Sequence, residues 1–130
     1  MVSYLIMNLA KENDMKENSL IDLSLSFATD IVKLCEKNDR GQRSVLFNQL
    51  IRSGTSIGAN IYEGNYASSK ADFINKFQIA LKECYETEYW LTVFKNTEYI
   101  SSDEHTEFFA KCSKIRRLLV ASIKTAKSKN

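Results

Sequence analysis

The chain has 130 residues, 44% of them apolar, with no proline, four glycines and a formal net charge of +2. Such a length suits one domain, and that apolar share can build a core, which excludes a wholly disordered chain. The lack of proline and the scarcity of glycine exclude a turn-rich all-β fold and proline-rich linkers.

Residues 1–18 read as a flexible or docking arm. Their apolar run, Val2 to Leu9, lacks a basic leader and falls far short of the roughly 20 residues that cross a bilayer. Residues 19–127 read as the folded unit and 128–130 as a loose basic tail. Charges interrupt every other apolar run, so no membrane association and a cytoplasmic location are expected.

Three serines stand three residues ahead of an acid: Ser19 before Asp22, Ser69 before Asp72 and Ser101 before Glu104. Each can accept an orphan amide of a helical first turn, and each precedes a helical apolar pattern. The first predicted helix, about Leu20 to Asn38, carries Leu20, Leu23, Phe27, Ile31 and Leu34 on one stripe, widened by Ala28 and Cys35. A turn follows at Asn38-Asp39-Arg40-Gly41. The second, about Gln42 to Glu63, turns Leu46, Leu50, Ile57 and Ile61 inward. Gly64 is the expected stop, because glycine takes the left-handed conformation cheaply. The third, about Lys70 to Asn96, aligns Phe73, Phe77, Ala80, Cys84 and Leu91. The fourth, about Asp103 to Ala126, aligns Phe108, Cys112, Ile115, Leu119 and Ile123. Short connections make neighbours antiparallel, so the expected fold is an all-α, up-down-up-down four-helix bundle.

The third helix is apolar on more than one side. Ile79, Trp90 and Phe94 cluster roughly 240–300° around the axis from Phe73, and Ile74, Tyr85 and Tyr89 lie on yet another side. One stripe suffices in a bundle, so Ile79, Trp90 and Phe94 are the expected interface of a homo-oligomer. On the second helix Gly54 and Gly58, with small neighbours, allow close approach of another helix, within the subunit or between subunits.

Glu88 falls near the core line, where a carboxylate needs a partner. Arg52, Ser56, Asn60 and Glu63 form a polar strip on the second helix, with Arg52 a candidate cation for Glu88 or Glu63. The five read as a buried ion-pair network that fixes register, or as a polar ligand pocket. Cys35, Cys84 and Cys112 lack CxxC spacing and read as buried thiols. His105 is the single histidine and no Glu-x-x-His pair occurs, so no metal and no cofactor are expected. With no phosphate-binding loop and no nucleophile elbow, an enzyme is not expected.

The net charge conceals a division. Residues 1–110 carry eleven basic and sixteen acidic side chains, whereas residues 111–130 carry seven basic and none acidic. Lys111, Lys114, Arg116, Arg117, Lys124 and Lys127 lie on the fourth helix, which is either a strip for phosphates of RNA or DNA or an ordinary solvated face. The aromatic residues sit on stripes rather than among these cations, so stacking of single strands on this helix is not indicated.

The stretch Arg52-Ser53-Gly54-Thr55-Ser56-Ile57-Gly58-Ala59-Asn60-Ile61-Tyr62-Glu63-Gly64 resembles the signature of a bacterial four-helix-bundle family known as ribosomal-RNA intervening-sequence or ribosomal-protein-like proteins. Asp72-Phe73-Ile74, Ile79-Ala80-Leu81-Lys82-Glu83 and Glu86-Thr87-Glu88-Tyr89-Trp90-Leu91 extend the similarity, which is strong over about Leu50 to Leu91. The resemblance implies a ring-like homopentamer and kinship with the accessory proteins of diversity-generating retroelements, basic barrels that bind nucleic acid and a reverse transcriptase. It offers no catalytic residues. The expected function is therefore a non-enzymatic homo-oligomeric scaffold binding RNA or DNA through the fourth helix. The alternative is a protein-interaction module with a protein partner and no nucleic-acid role.

Overall fold

The computed structural model describes residues 14–129. Four helices follow one another: α1 (Asp14–Asn38), α2 (Ser44–Gly64), α3 (Lys70–Asn96) and α4 (Ser102–Ser128). No strand occurs among the described residues. At 1.5 Å per residue α3 and α4 are about 40 Å long, and the short connections between helices force each to reverse. α1 packs on α2, α2 on α3 and α3 on α4, and α4 closes more sparingly on α1. This is the expected antiparallel bundle.

The caps explain two of the starts. Ser69 Oγ accepts the Asp72 amide at 2.9 Å. Ser101 Oγ accepts the Glu104 amide at 3.0 Å while the Glu104 carboxylate accepts the Ser101 amide at 2.8 Å. The third expected cap is corrected: α1 begins at Asp14, so Ser19 lies inside the helix. Met15, Lys16 and Glu17 are good helix formers, and nothing before Ser19 stops the helix. The run Val2 to Leu9 and the rest of residues 1–13 lie outside the described residues. α4 extends to Ser128, into the stretch expected as a loose tail.

Leu20, Phe27, Ile31, Phe47, Leu50, Ile57, Ile61, Phe77, Leu91, Phe94, Ile115 and Leu119 form the centre of the core. Leu46 does not join it and is exposed, because α2 turns Phe47 inward instead. Phe47 meets the Phe94 ring edge-on at 4.9 Å and Tyr99 at 5.9 Å. An aromatic pair gains from this geometry beyond its burial.

The glycines of α2 work within the subunit. A Cβ on Gly54 would lie 3.1 Å from Ile31 and one on Gly58 would lie 3.3 Å from the Ser24 carbonyl, both on α1. Gly64 does end α2, but not through a left-handed conformation; a Cβ there would lie 2.7 Å from the Phe77 ring. Positive φ appears instead at Gly41, in the expected turn, and at Glu98, after α3.

Candidate nucleic-acid interface

The six cations expected on α4 separate into two groups. Lys111 bridges Asp30 of α1 at 3.4 Å and Glu107 at 2.8 Å, and the Glu107 bond holds its ammonium above the usual lysine range. Arg116 donates from Nε to Glu88 at 3.0 Å, and this bond strengthens its hold on its proton. Ser113 donates to the same carboxylate oxygen at 3.0 Å and accepts from Arg116 at 3.2 Å. Both cations thus carry internal ion pairs. Lys114, Arg117, Lys124 and Lys127 are exposed and make no ion pair among the described residues. They span about 20 Å of helix, beside the exposed Val120.

Arg52, Ser56, Asn60, Glu63 and Glu88 do not form one buried network. Glu88 alone is buried, and its cation is Arg116 rather than Arg52. Arg52 is half-exposed and pairs with Glu83 at 3.0 Å and with Glu86. Glu86 also accepts from the Trp90 indole at 3.2 Å, and the Arg52 bond holds its carboxyl below the usual range. Asn60 donates to the Ser56 carbonyl at 2.8 Å, and Glu63 pairs with Lys76 at the surface at 3.0 Å. The reason is angular. Glu83 and Glu88 leave α3 about 140° apart, one toward α2 and the other toward α4, so Arg52 and Glu88 cannot frame a common pocket. Buried hydrogen bonding between α2 and α3 is instead supplied by Thr87, which donates to Ser53 at 3.0 Å.

The expected oligomer residues are also redistributed. Phe94 is fully buried within the subunit and stacks on Trp90 at 5.7 Å and on Tyr99 at 5.9 Å. The wide apolar arc of α3 therefore serves the bundle's own aromatic end. Ile79 and Trp90 are half-buried. Exposed apolar surface lies elsewhere, along a groove of about 380 Å³ between α1 and α2, lined by Ile21, Leu25, Ala28, Thr55, Ala59 and Tyr62. Leu25 remains 65% exposed and Tyr62 58%. The small residues of α2 that open this groove are visible in the sequence, but not the side on which they open it.

One feature escapes a helix-by-helix reading. Arg116 sits over the Tyr85 ring at 5.4 Å, so the aromatic edge of α3 adjoins the basic face of α4. Farther along that edge, Tyr89 meets Trp90 edge-on at 5.3 Å. Gln78, Leu81, Val120, Lys124 and Lys127 line the shallow cleft between the two helices nearby.

Other reactive groups are held quiet. Burial pushes the Cys35 thiol up to about 12, and Cys112, donating to the Cys84 carbonyl at 3.5 Å, is pushed up by its contact with Cys84 and by burial. All three cysteines are buried and unpaired by disulfides. His105 lies 3.2 Å from the Thr92 hydroxyl and against Phe109, and burial, then Lys95, lowers its affinity for a proton. Among the described residues no cluster of His, Cys, Asp or Glu could hold a metal, and no helix is long and apolar enough to cross a membrane.

Residues 16–121 match the family model described as 23S rRNA-intervening sequence protein. A crystal structure from Bacteroides thetaiotaomicron, described as a protein of unknown function from the S23 ribosomal protein family, is 46% identical with a TM-score of 0.77, and the match covers 84% of this chain and 98% of that one. No curated protein matches the chain.

Proposed function

The chain belongs to the 23S rRNA-intervening sequence protein family, and from that premise we propose that it is a non-enzymatic helical scaffold that binds RNA or DNA electrostatically. The observation that carries this reading is the outer face of α4, where Lys114, Arg117, Lys124 and Lys127 stand exposed without acidic partners among the described residues. Four phosphate contacts give a salt slope of about −3.6 on duplex DNA, so affinity falls about 10²-fold between roughly 50 and 200 mM salt. Anisotropy titration with a labelled duplex checks this, together with the triple reversal Arg117→Glu, Lys124→Glu and Lys127→Glu, which abolishes binding. No binding at low salt, or binding indifferent to the reversal, overturns the reading. Capture of a protein with no affinity for either nucleic acid would favour an interaction module.

The scaffold is also proposed to self-associate, its apolar contact being the α1–α2 groove rather than Ile79, Trp90 and Phe94. The exposure of Leu25 and Tyr62 on either wall supports this. A ring of five subunits is the assembly in view. Light scattering of the wild type and of Leu25→Asp tests it; a wild-type monomer at micromolar concentration overturns it.

A further inference from the structure

Tertiary packing places together what no single helix shows. On α3 the residues Gln78, Lys82, Tyr85, Tyr89 and Asn96 share one outer stripe, within about 60° around the axis, and none is acidic. The acids of the neighbouring part of α3, Glu83 and Glu86, turn the other way to Arg52. Glu88, which does face α4, is neutralised by Arg116. The same Arg116 reaches Tyr85, fixing the α3 stripe against the α4 cations. Tyr85 and Tyr89 keep 54% and 61% of their surface exposed, one helical turn apart. The result is two amphipathic rings along an edge that runs on to the exposed cations Lys124 and Lys127, with no unpaired carboxylate between them among the described residues.

We infer that this α3–α4 face binds single-stranded nucleic acid, with phosphates on Arg117, Lys124, Lys127 and Lys82 and unpaired bases stacked on Tyr85 and Tyr89. The inference rests on the reading of α4 as a polyanion site and goes beyond it by naming the strand state. Duplex bases are stacked on each other and offer no face to a tyrosine, whereas every unpaired base does, and positive grooves flanked by aromatic rings are the recurring solution for single strands. In the other exposed aromatic pair, Tyr62 and Tyr66, with ring centroids 5.3 Å apart, Tyr62 lines a groove whose walls include Glu63 and no cation, so the pair is not assigned this role.

The test compares a labelled oligothymidylate of about 12 nucleotides, within the ~4–16 that such grooves occupy, with a duplex of equal length. Stacking is worth about 1 kcal/mol per base at the low end. The double variant Tyr85→Leu and Tyr89→Leu therefore weakens the single strand roughly 30-fold and leaves the duplex unchanged. Tyr85→Phe and Tyr89→Phe, which keep the rings, retain single-strand binding. Trp90, the one tryptophan, touches Tyr89 and its emission changes with the single strand and not with the duplex. A single-strand affinity indifferent to the leucines, or an equal loss on both probes, overturns the inference. If the duplex binds with a steep salt slope while the single strand ignores the tyrosines, only this inference falls. If neither probe binds at low salt, the polyanion reading falls with it.

Discussion

Between α1 and α2 the helices meet over glycines; between α3 and α4 they meet over a buried carboxylate and its arginine. At the first seam Ile31 and Ser24 approach Gly54 and Gly58 so closely that an added Cβ would lie 3.1 and 3.3 Å from them, and the outside of the seam is an apolar groove. At the second, Glu88, Arg116 and Ser113 form a closed hydrogen-bonded group, and the outside is basic. Packing density and charge are thus assigned to opposite pairs of one bundle. One pair leaves apolar surface open along its outer groove, while the other leaves unpaired cations in water.

The strongest way to break that contrast is to fill the first seam. Gly54 is buried, and a Cβ there already crowds Ile31 at 3.1 Å. Gly54→Val is expected to cost about 3 kcal/mol, the upper part of the range for overpacking a dense core. Thermal unfolding at fixed protein concentration should show a fall of about 4 °C per kcal/mol for a domain of this size. Ile31→Ala in the same chain should recover part of the loss, because it vacates the space the valine needs. Additive losses would mean that the glycine serves something other than the approach of α1.

The second seam should respond differently. Arg116→Met removes the cation from a carboxylate that is only 8% exposed and should cost about 2 kcal/mol, below the 3–5 for a fully buried pair because Arg116 itself reaches solvent. Adding Glu88→Leu should return most of that loss, since an apolar pair of similar size can replace a buried ion pair. Urea unfolding of both single variants and the double variant measures the coupling. A double variant as unstable as Arg116→Met alone would show that the arginine acts through its stem and Tyr85 rather than through charge.

How much of this was legible in the sequence differs between the seams. Apolar periodicity placed all four helices, and the serine–acid spacing located Ser69 and Ser101. The same spacing misplaced the start of α1 at Ser19, because a local cap signal has no force where good helix formers precede it. Glu88 was recognisable as a buried acid, since its position on the α3 wheel is a matter of angle alone. Its partner was not, because Arg52 and Arg116 are both within one helix of α3 and only the assembled bundle shows which edge each one meets. Phe94 shows the same limit: an apolar arc wider than one stripe signals an interface or a broad intramolecular contact, and Tyr99 and Phe47, which cover it, come from other parts of the chain.

The start of α4 also carries a polar group that acid should expose, where Glu104 caps its own helix and meets Lys37 and Asn38 at the end of α1. Burial pushes the Glu104 carboxyl up, but the Ser101 amide, Lys37 and Asn38 together outweigh it and hold its pKa below the usual range. The folded state therefore binds its proton less readily than the unfolded chain. The stability it contributes is present above about pH 4.3 and is lost as pH falls through the lower folded value. Glu104→Gln should cost about 1 kcal/mol at neutral pH, as for loss of a cap, and should flatten the decline of stability between about pH 5 and 3. Unfolding curves at several pH values check both. A parallel decline in the variant would place the acid sensitivity elsewhere, with Glu86, held below its usual range by Arg52, next in line.

The smallest effect concerns the backbone of the same connection. Glu98 has φ of 61°, a left-handed conformation in which a Cβ crowds the following carbonyl at about 1 kcal/mol or more. The geometry holds because α3 ends there: the Tyr99 amide donates to the Phe94 carbonyl at 2.8 Å and the Glu98 amide to Lys95 at 3.0 Å, satisfying carbonyls that the last turn would otherwise leave open. The Glu98 side chain is exposed and makes no ion pair among the described residues, so its removal forfeits no contact. Glu98→Gly should then raise stability by about 0.5 kcal/mol, the relief of strain exceeding the added freedom of the unfolded chain. The gain should appear equally in the wild type and in Arg116→Met, because a backbone term at the loop is independent of the charge pair within the seam. Its loss in the Arg116→Met background would mean that the loop and the ion pair position α4 together, making the polar seam one cooperative unit rather than two separate fastenings.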